Sequence, residues 1–378
     1  MKSQLDPVLL GCVAVLLCLS ILMVSSASLS VSEVRYHDAF RIISHWLIYI
    51  PIGLLLMWGL SHVSMAHWQR YCIPLLLLSF TMMAVLLVMG NRLNGATRWF
   101  SLFGFSAQPV EFLKPTIILY MANYMSHFSE RLRHFSKGIA PMLAILSVAV
   151  FLMMMQPDFG NTILLCSTCF FMWFVGAVPI RHLFGIFLIG IGLGTIAIIT
   201  EPYRFERLLS FTNPWDDPFD TGYQLIQSMV AFGSGGVWGA GLGQGVQKLF
   251  YLPEAFTDFI AAVLGEELGL MGSLLLLGVF ATLIGRGIYI ATRCEHEFER
   301  LLALGCTLLM GLSFYINFAA ATGMIPTKGM PIPFFSYGGS ALLGNCILMG
   351  FLLAISRGLP AKKIATMTQN KRKGFGNK

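Results

Sequence analysis

The sequence predicts an all-α integral membrane protein with about ten transmembrane helices and one long extracytoplasmic loop. Three observations carry that expectation. Of 378 residues, 56% are hydrophobic and 11% charged, less than half the charge of a soluble domain at about 25%. Mean hydropathy is +0.73. The apolar residues fall in runs of about 20, the length that crosses a bilayer as a helix. These properties exclude a soluble enzyme with a polar shell, a disordered chain and a nucleic-acid binder. The net charge of +7 does not restore that last reading, because seven of the 25 Lys and Arg lie after residue 356.

The spans are expected at 7–26, 41–62, 71–90, 109–126, 139–156, 160–179, 182–200, 262–285, 301–323 and 338–356. The first follows only Lys2 and resembles a signal-peptide core. Its length and the similar runs after it make it an uncleaved first span. An even number of spans puts both termini on one side. With the termini inside, inner segments hold sixteen Lys and Arg and outer segments eight, as the positive-inside rule requires. Both termini are therefore expected in the cytoplasm, and the long connection 201–261 outside. The chain reads as one membrane domain, 1–360, followed by a basic cytoplasmic tail, 361–378. Eight Cys sit almost entirely in apolar runs and form no disulfide framework. Cys166 and Cys169 make a C-x-x-C without a neighbouring His or acid, which reads as small apolar residues on one helix face.

Ionisable residues inside spans are costly and mark candidate sites. Glu111 and Lys114 stand at i, i+3 after Gln108-Pro109, so they share one helix face and can pair. A structural ion pair and the lining of a polar cavity for an anionic ligand are both open. Asp158, in Gln156-Pro157-Asp158-Phe159-Gly160, precedes a helix, where an N-cap and a substrate contact are both open. The long loop carries Arg204 and Arg207, Asn213-Pro214-Trp215-Asp216-Asp217-Pro218, Tyr223-Gln224 and a glycine run from Gly233 to Gly245. Exposed N–H groups in such a run can cradle phosphate, but no Walker or dinucleotide pattern is present. Asp258 ends the loop just before a span. A partly desolvated carboxylate there has a raised pKa and can act as a general base, while a helix cap is the competing role. Glu266 and Glu267 follow at the start of that span, where burial needs partners or water. The last outer loop, 324–340, is rich in Pro and Gly, and Lys328 is its one charge. It suits a pyrophosphate as a point charge or snorkels to the interface.

In this order the motifs resemble the SEDS family of FtsW, RodA and SpoVE over essentially the whole chain. The resemblance rests on Asn94-Gly95-Ala96-Thr97-Arg98-Trp99, Gln108-Pro109-x-Glu111-x-x-Lys114, Gln156-Pro157-Asp158-Phe159-Gly160 and Gly222-Tyr223-Gln224. It continues through the glycine run, Leu252-Pro253-Glu254-x-x-Thr257-Asp258-Phe259, Gly265-Glu266-Glu267-Leu268-Gly269 and Ser336-Tyr337-Gly338-Gly339-Ser340. Residues 213–218, 265–267 and 326–329 lean toward the division branch. The resemblance implies a peptidoglycan glycosyltransferase acting on lipid II, an undecaprenyl-pyrophosphate disaccharide-pentapeptide, in the bacterial inner membrane at the division septum. It implies a class B penicillin-binding protein as partner, with other divisome proteins and membrane lipid around it. The family's essential Asp falls on Asp258, and its buried acid–base pair on Glu111 and Lys114. Phe256 departs from the pattern, because the family usually has His two residues before that Asp.

The implied chemistry inverts an α-linked donor into a β-1,4 polymer, which needs a base on the acceptor. Asp258 is the expected base. Arg98, Glu111, Lys114, Asp158, Arg204, Gln224, Lys328 and Ser336 are expected to bind substrate. A divalent cation, Mg²⁺ or Mn²⁺, with Asp258 a possible ligand, would neutralise the leaving pyrophosphate together with Lys328, Arg98 or Arg204. A lipid II flippase and a scaffold that activates the transpeptidase are the competing functions.

Overall fold

A computed structural model describes residues 5–93, 96–102, 105–327 and 329–358, with the side chains of 91–97, 101–105 and 202–204 outside the description. The basic tail 361–378 and Lys328 lie outside the described residues. The helices, in chain order, are α1 (Pro7–Tyr36), α2 (Arg41–Leu60), α3 (Met65–Met89), α4 (Val110–His127), α5 (Ala140–Met155) and α6 (Phe159–Val175). They continue as α7 (Ile180–Ile199), α8 (Pro202–Thr212), α9 (Tyr223–Gly235), α10 (Ile260–Arg293), α11 (Glu297–Ala321) and α12 (Gly339–Gly358). Every expected span coincides with a helix. Among the described residues, eight helices are long and apolar enough to cross a membrane. The two expected spans outside that set are α4, which carries Glu111 and Lys114, and α6, which has 17 residues.

The architecture departs from a purely helical one at the connection between α3 and α4. Residues Asn91–Leu93, Ala96–Leu102 and Phe105–Ala107 form antiparallel strands β1, β2 and β3 in that order. Ser340 at the start of α12 fastens this ribbon: its Oγ accepts from Gln108 N at 3.0 Å and donates to Ser106 O at 3.2 Å. The long loop is also less irregular than expected. It holds α8 and α9, joined by a short 3-10 turn at Pro214–Asp216, and the stretch from Gly236 to Phe259 lacks regular helix.

Local chemistry explains several ends. Asp6 caps α1, accepting from Val8 N at 3.1 Å and Leu9 N at 3.2 Å, and pairs with Arg286 at 2.7 Å, tying α1 to α10. Apolar packing sets the layers. In the most apolar stretch of each helix, 72% of α12 and 61% of α11 are buried, against 6% of α7. Thus α11 and α12 form the centre, and α7 lies at the rim with its apolar surface turned outward. Phe280 of α10 stacks on Phe314 of α11 with centroids 3.9 Å apart.

The α10 helix kinks at Gly269, whose φ is 64°. A side chain there would collide with the backbone of Val237 and Gly239, so the glycine run lies directly against the kink. Its N–H groups find partners inside the protein. Gly243 N donates to Glu267 at 2.9 Å, and Val246 N to Glu266 at 2.7 Å. Glu267 is 0% exposed. It also takes Lys248 at 2.6 Å and the Ser26 hydroxyl at 2.6 Å. The glycine run is thus an irregular turn whose N–H groups serve the chain's own carboxylates.

Candidate active site

Asp258 occupies the end of an irregular loop, directly before Phe259, the cap of α10. The loop closes on a single carbonyl: Glu254 O accepts from Thr257 N, Asp258 N and Phe259 N at 3.1–3.2 Å. Glu254 holds φ at 53° to allow this. No side-chain bond caps α10, so the Asp258 carboxylate is not consumed as an N-cap. It lies against the loop between α11 and α12 instead. A Cβ added to Gly329 would stand 2.6 Å from its Oδ2. A side chain at 329 would have to displace that carboxylate oxygen.

Burial is the main cause that pushes the Asp258 carboxyl up to about 7, and the Glu254 charge adds to it. Arg207 and Arg98 oppose the rise. These two guanidiniums come from different elements. Arg207, on α8, donates to Thr327 O at 3.4 Å. Arg98, on β2, donates through Nε to Gln156 O at 3.1 Å and through Nη2 to Pro157 O. The strand thus carries Arg98 across to the turn that ends α5. Of the expected cationic residues, Arg98 faces Asp258 electrostatically, the Arg204 side chain and Lys328 lie outside the described residues, and Arg207 completes the set.

A second polar group lies within the bundle. Lys114 donates to Glu111 at 2.7 Å and to Asn161 Oδ1 at 3.1 Å. Asn161 Nδ2 donates to Asp158 Oδ2 at 2.9 Å, and Asp158 also accepts from Asn161 N at 3.4 Å as the cap of α6. Glu111, Lys114 and Asp158 are therefore one buried chain, in which Asp158 both caps and connects. A cavity of about 10 Å³ borders Glu111, Lys114 and Asn161 on one side and Met330 and Pro331 on the other. That is space for about one water, between the buried pair and the loop that touches Asp258.

The remaining expected residues stand apart. Gln224 lies in the first turn of α9, and among the described residues no hydrogen bond joins it to Asp258. Ser336 is buried, and its Oγ accepts from Ile332 N at 2.8 Å, so its hydroxyl serves its own turn. Phe256 packs edge-on against Tyr337 with centroids 5.6 Å apart, and Tyr337 packs on Trp46 at 5.6 Å. Phe256, Tyr337 and Trp46 thus form an aromatic column. Among the described residues no group of three or more His, Cys, Asp or Glu comes together to hold a metal ion. Among the described residues, Glu254 is the acidic neighbour of Asp258, and Phe256 offers no ligand atom.

Gly329 and Arg207 were named only within longer stretches, and Asn161 and Asn317 were not singled out from the sequence. A lone Asn in an apolar run was the signal available for the last two, since such a group needs a partner when buried. Gly329→Ala is expected to lower turnover by about 10- to 100-fold, the scale of an ångström-level misplacement of a reacting group, with thermal stability nearly unchanged. Steady-state kinetics beside a melting curve check this. Wild-type turnover in a folded variant would contradict the close approach.

Residues 7–360 match the family model described as cell cycle protein, that of FtsW, RodA and SpoVE. The probable peptidoglycan glycosyltransferase FtsW of Coxiella burnetii is 41% identical over 350 residues, covering 91% of this chain and 94% of that one. The protein of the same description from Allochromatium vinosum is 40% identical over 360 residues, covering 93% and 89%. Among solved structures, a chain described under structural coordination of polymerization and crosslinking by a peptidoglycan synthase complex superposes with TM-score 0.78. It shares 27% identity, over 93% of this chain and 98% of that one. The rod shape determining protein RodA of Thermus thermophilus gives TM-score 0.71 at 25% identity, over 95% and 98%.

Proposed function

The chain belongs to the cell cycle protein family of FtsW, RodA and SpoVE, and from that premise we propose how its outer cleft works as the active site of a peptidoglycan glycosyltransferase. The enzyme is a multi-pass inner-membrane protein of the FtsW kind. Its substrate is lipid II, its product a β-1,4-linked glycan, and its partner a class B penicillin-binding protein at the division septum. Both termini face the cytoplasm in this reading, which leaves Asp258 at the outer face.

The observation that carries the reading is the Asp258 carboxylate, held under Gly329 with an affinity for protons near neutrality. A general base works best when its pKa lies near the operating pH. Asp258 takes the proton from the acceptor 4-hydroxyl as that oxygen forms its bond to the anomeric carbon of the donor. The bond from that carbon to the pyrophosphate oxygen breaks, and the pyrophosphate leaves with the electron pair. Attack from the opposite face inverts the anomeric centre, as an α-linked donor and a β-linked product require. Pyrophosphate is a good leaving group and needs no carboxylic acid to protonate it. Arg207 and Arg98, with Lys328 as a further candidate, supply positive charge for it. Glu111, Lys114, Asn161 and Asp158 brace the helices beneath the cleft and keep the Met330–Pro331 wall in place.

The test is glycan-chain formation from lipid II by purified protein, with and without the class B partner, in Mg²⁺, Mn²⁺ or chelator. Polymer is expected when the partner is present. No polymer under any of these conditions would overturn the reading in favour of a flippase or a scaffold.

A further inference from the structure

One side chain on α11 joins the two loops that meet at Asp258. Asn317 is 1% exposed. Its Nδ2 donates to the Asp258 carbonyl at 2.8 Å and also to the Met330 carbonyl. The Asp258 carbonyl lies outside the helical ladder, because the first-turn bonds of α10 run from Ala262 N and Val263 N to Phe259 O. The Met330 carbonyl lies in the irregular segment before α12. A buried carbonyl must find a donor. Here one amide serves two of them, from loops far apart in sequence.

The orientation of the amide follows from its partners. Reversing it would set Oδ1 against two carbonyl oxygens, which have no proton to give. Oδ1 makes no hydrogen bond among the described residues, so the side chain is held by its donors alone. One turn earlier on the same helix, Ser313 Oγ donates to Pro331 O at 3.4 Å. Thus one face of α11 holds consecutive carbonyls, Met330 and Pro331. The consequence is the approach of Gly329 to the Asp258 carboxylate, since Gly329 immediately precedes Met330.

We propose that Asn317 is a positioning residue for glycosyl transfer, clamping the Asp258 loop to the Gly329–Met330 loop so that the carboxylate meets the acceptor hydroxyl in one fixed, poorly hydrated place. This rests on Asp258 as the base. The charged groups facing Asp258 are Glu254 from its own loop, Arg207 from α8 and Arg98 from β2. Asn317 adds no charge to them. Its loss therefore changes the distance and hydration of the carboxylate and leaves its charged neighbours in place. Burial is what raises Asp258, so a loosened clamp admits water and shifts its titration to lower pH.

The experiment compares Asn317→Leu, which keeps volume without donors, and Asn317→Ser, which keeps one donor. Full-length protein with its class B partner is assayed on lipid II across concentration and pH, with size-exclusion and thermal-melting controls. The expected result is turnover lower by about 10- to 100-fold, KM within about twofold, and the acid limb of the rate profile at lower pH. A purely structural residue would lower the melting temperature without moving that limb. Wild-type turnover and acid limb in either folded variant overturn the proposal. Failure of both variants to fold also overturns it, since Asn317 would then hold the bundle and not the site. Asp258→Asn run alongside separates the two ideas. If it retains activity, the base assignment fails. If it is inactive while folded Asn317→Leu is normal, only the clamp fails.

Discussion

Replacing Asp258 by Asn is expected to abolish glycan polymerisation while leaving the bundle folded. The amide is nearly isosteric, so the close contact with Gly329 survives, but it cannot accept the proton of the acceptor hydroxyl. General-base catalysis contributes about 10²- to 10⁴-fold, so polymer should fall below detection in an ordinary assay. The wild-type rate should rise with pH through about 7, where the buried carboxyl ionises, and the residual activity of the variant should lack that limb. Stability should move the other way. Asp258 is a carboxyl whose folded pKa is raised. Below the ordinary carboxylate range it is neutral in both states and costs nothing. As pH rises, the unfolded chain ionises first, and the folded state loses relative stability until pH passes about 7. Asp258→Asn should therefore melt higher than wild type at pH 8 and equally at pH 4. Equal melting at both, or persistent polymer, would remove Asp258 from the role.

The second large effect is expected at the buried pair. Lys114→Met leaves the Glu111 carboxylate buried without its ammonium partner and strips Asn161 of a donor. Breaking a buried pair from one side costs about 3–5 kcal/mol, whereas replacing both partners with groups of similar size is often neutral. Lys114→Met should thus melt far below wild type, and Glu111→Gln combined with Lys114→Met should recover most of the loss. Activity separates bracing from substrate contact: a stable double variant with normal turnover makes the pair structural, and a stable but inactive one gives it a part in the reaction. A single variant as stable as wild type would contradict the burial of the pair.

Much of the scaffold was legible because hydropathy is local. Each apolar run became a helix, and the i, i+3 spacing of Glu111 and Lys114 correctly implied a pair. The ends were less legible. The α1 helix continues to Tyr36, beyond the expected residue 26, because its polar final turns still find packing: Ser26 bonds Glu267, and Ser32 Oγ donates to Asp38 O at 2.5 Å. The three-stranded ribbon after α3 was not legible, since its strands are short and are fastened by Ser340 from the far end of the chain. The glycine run was read as a possible anion cradle, and its N–H groups do bind anions, but those of Glu266 and Glu267.

The motifs that resemble the family put the expected base at Asp258, and the sequence by itself determined that this chain is a membrane protein of apolar helices. Composition and periodicity suffice for this, because transfer into the bilayer is a sum over local segments. Only the tertiary structure decided what surrounds that carboxylate. The charges of Arg98 on β2 and Arg207 on α8 act on it, Gly329 approaches it from the last loop, and Asn317 grips its backbone from α11. Those neighbours are distant in sequence. Their meeting follows from which buried donors and acceptors must pair once the helices pack, and no local pattern records that pairing.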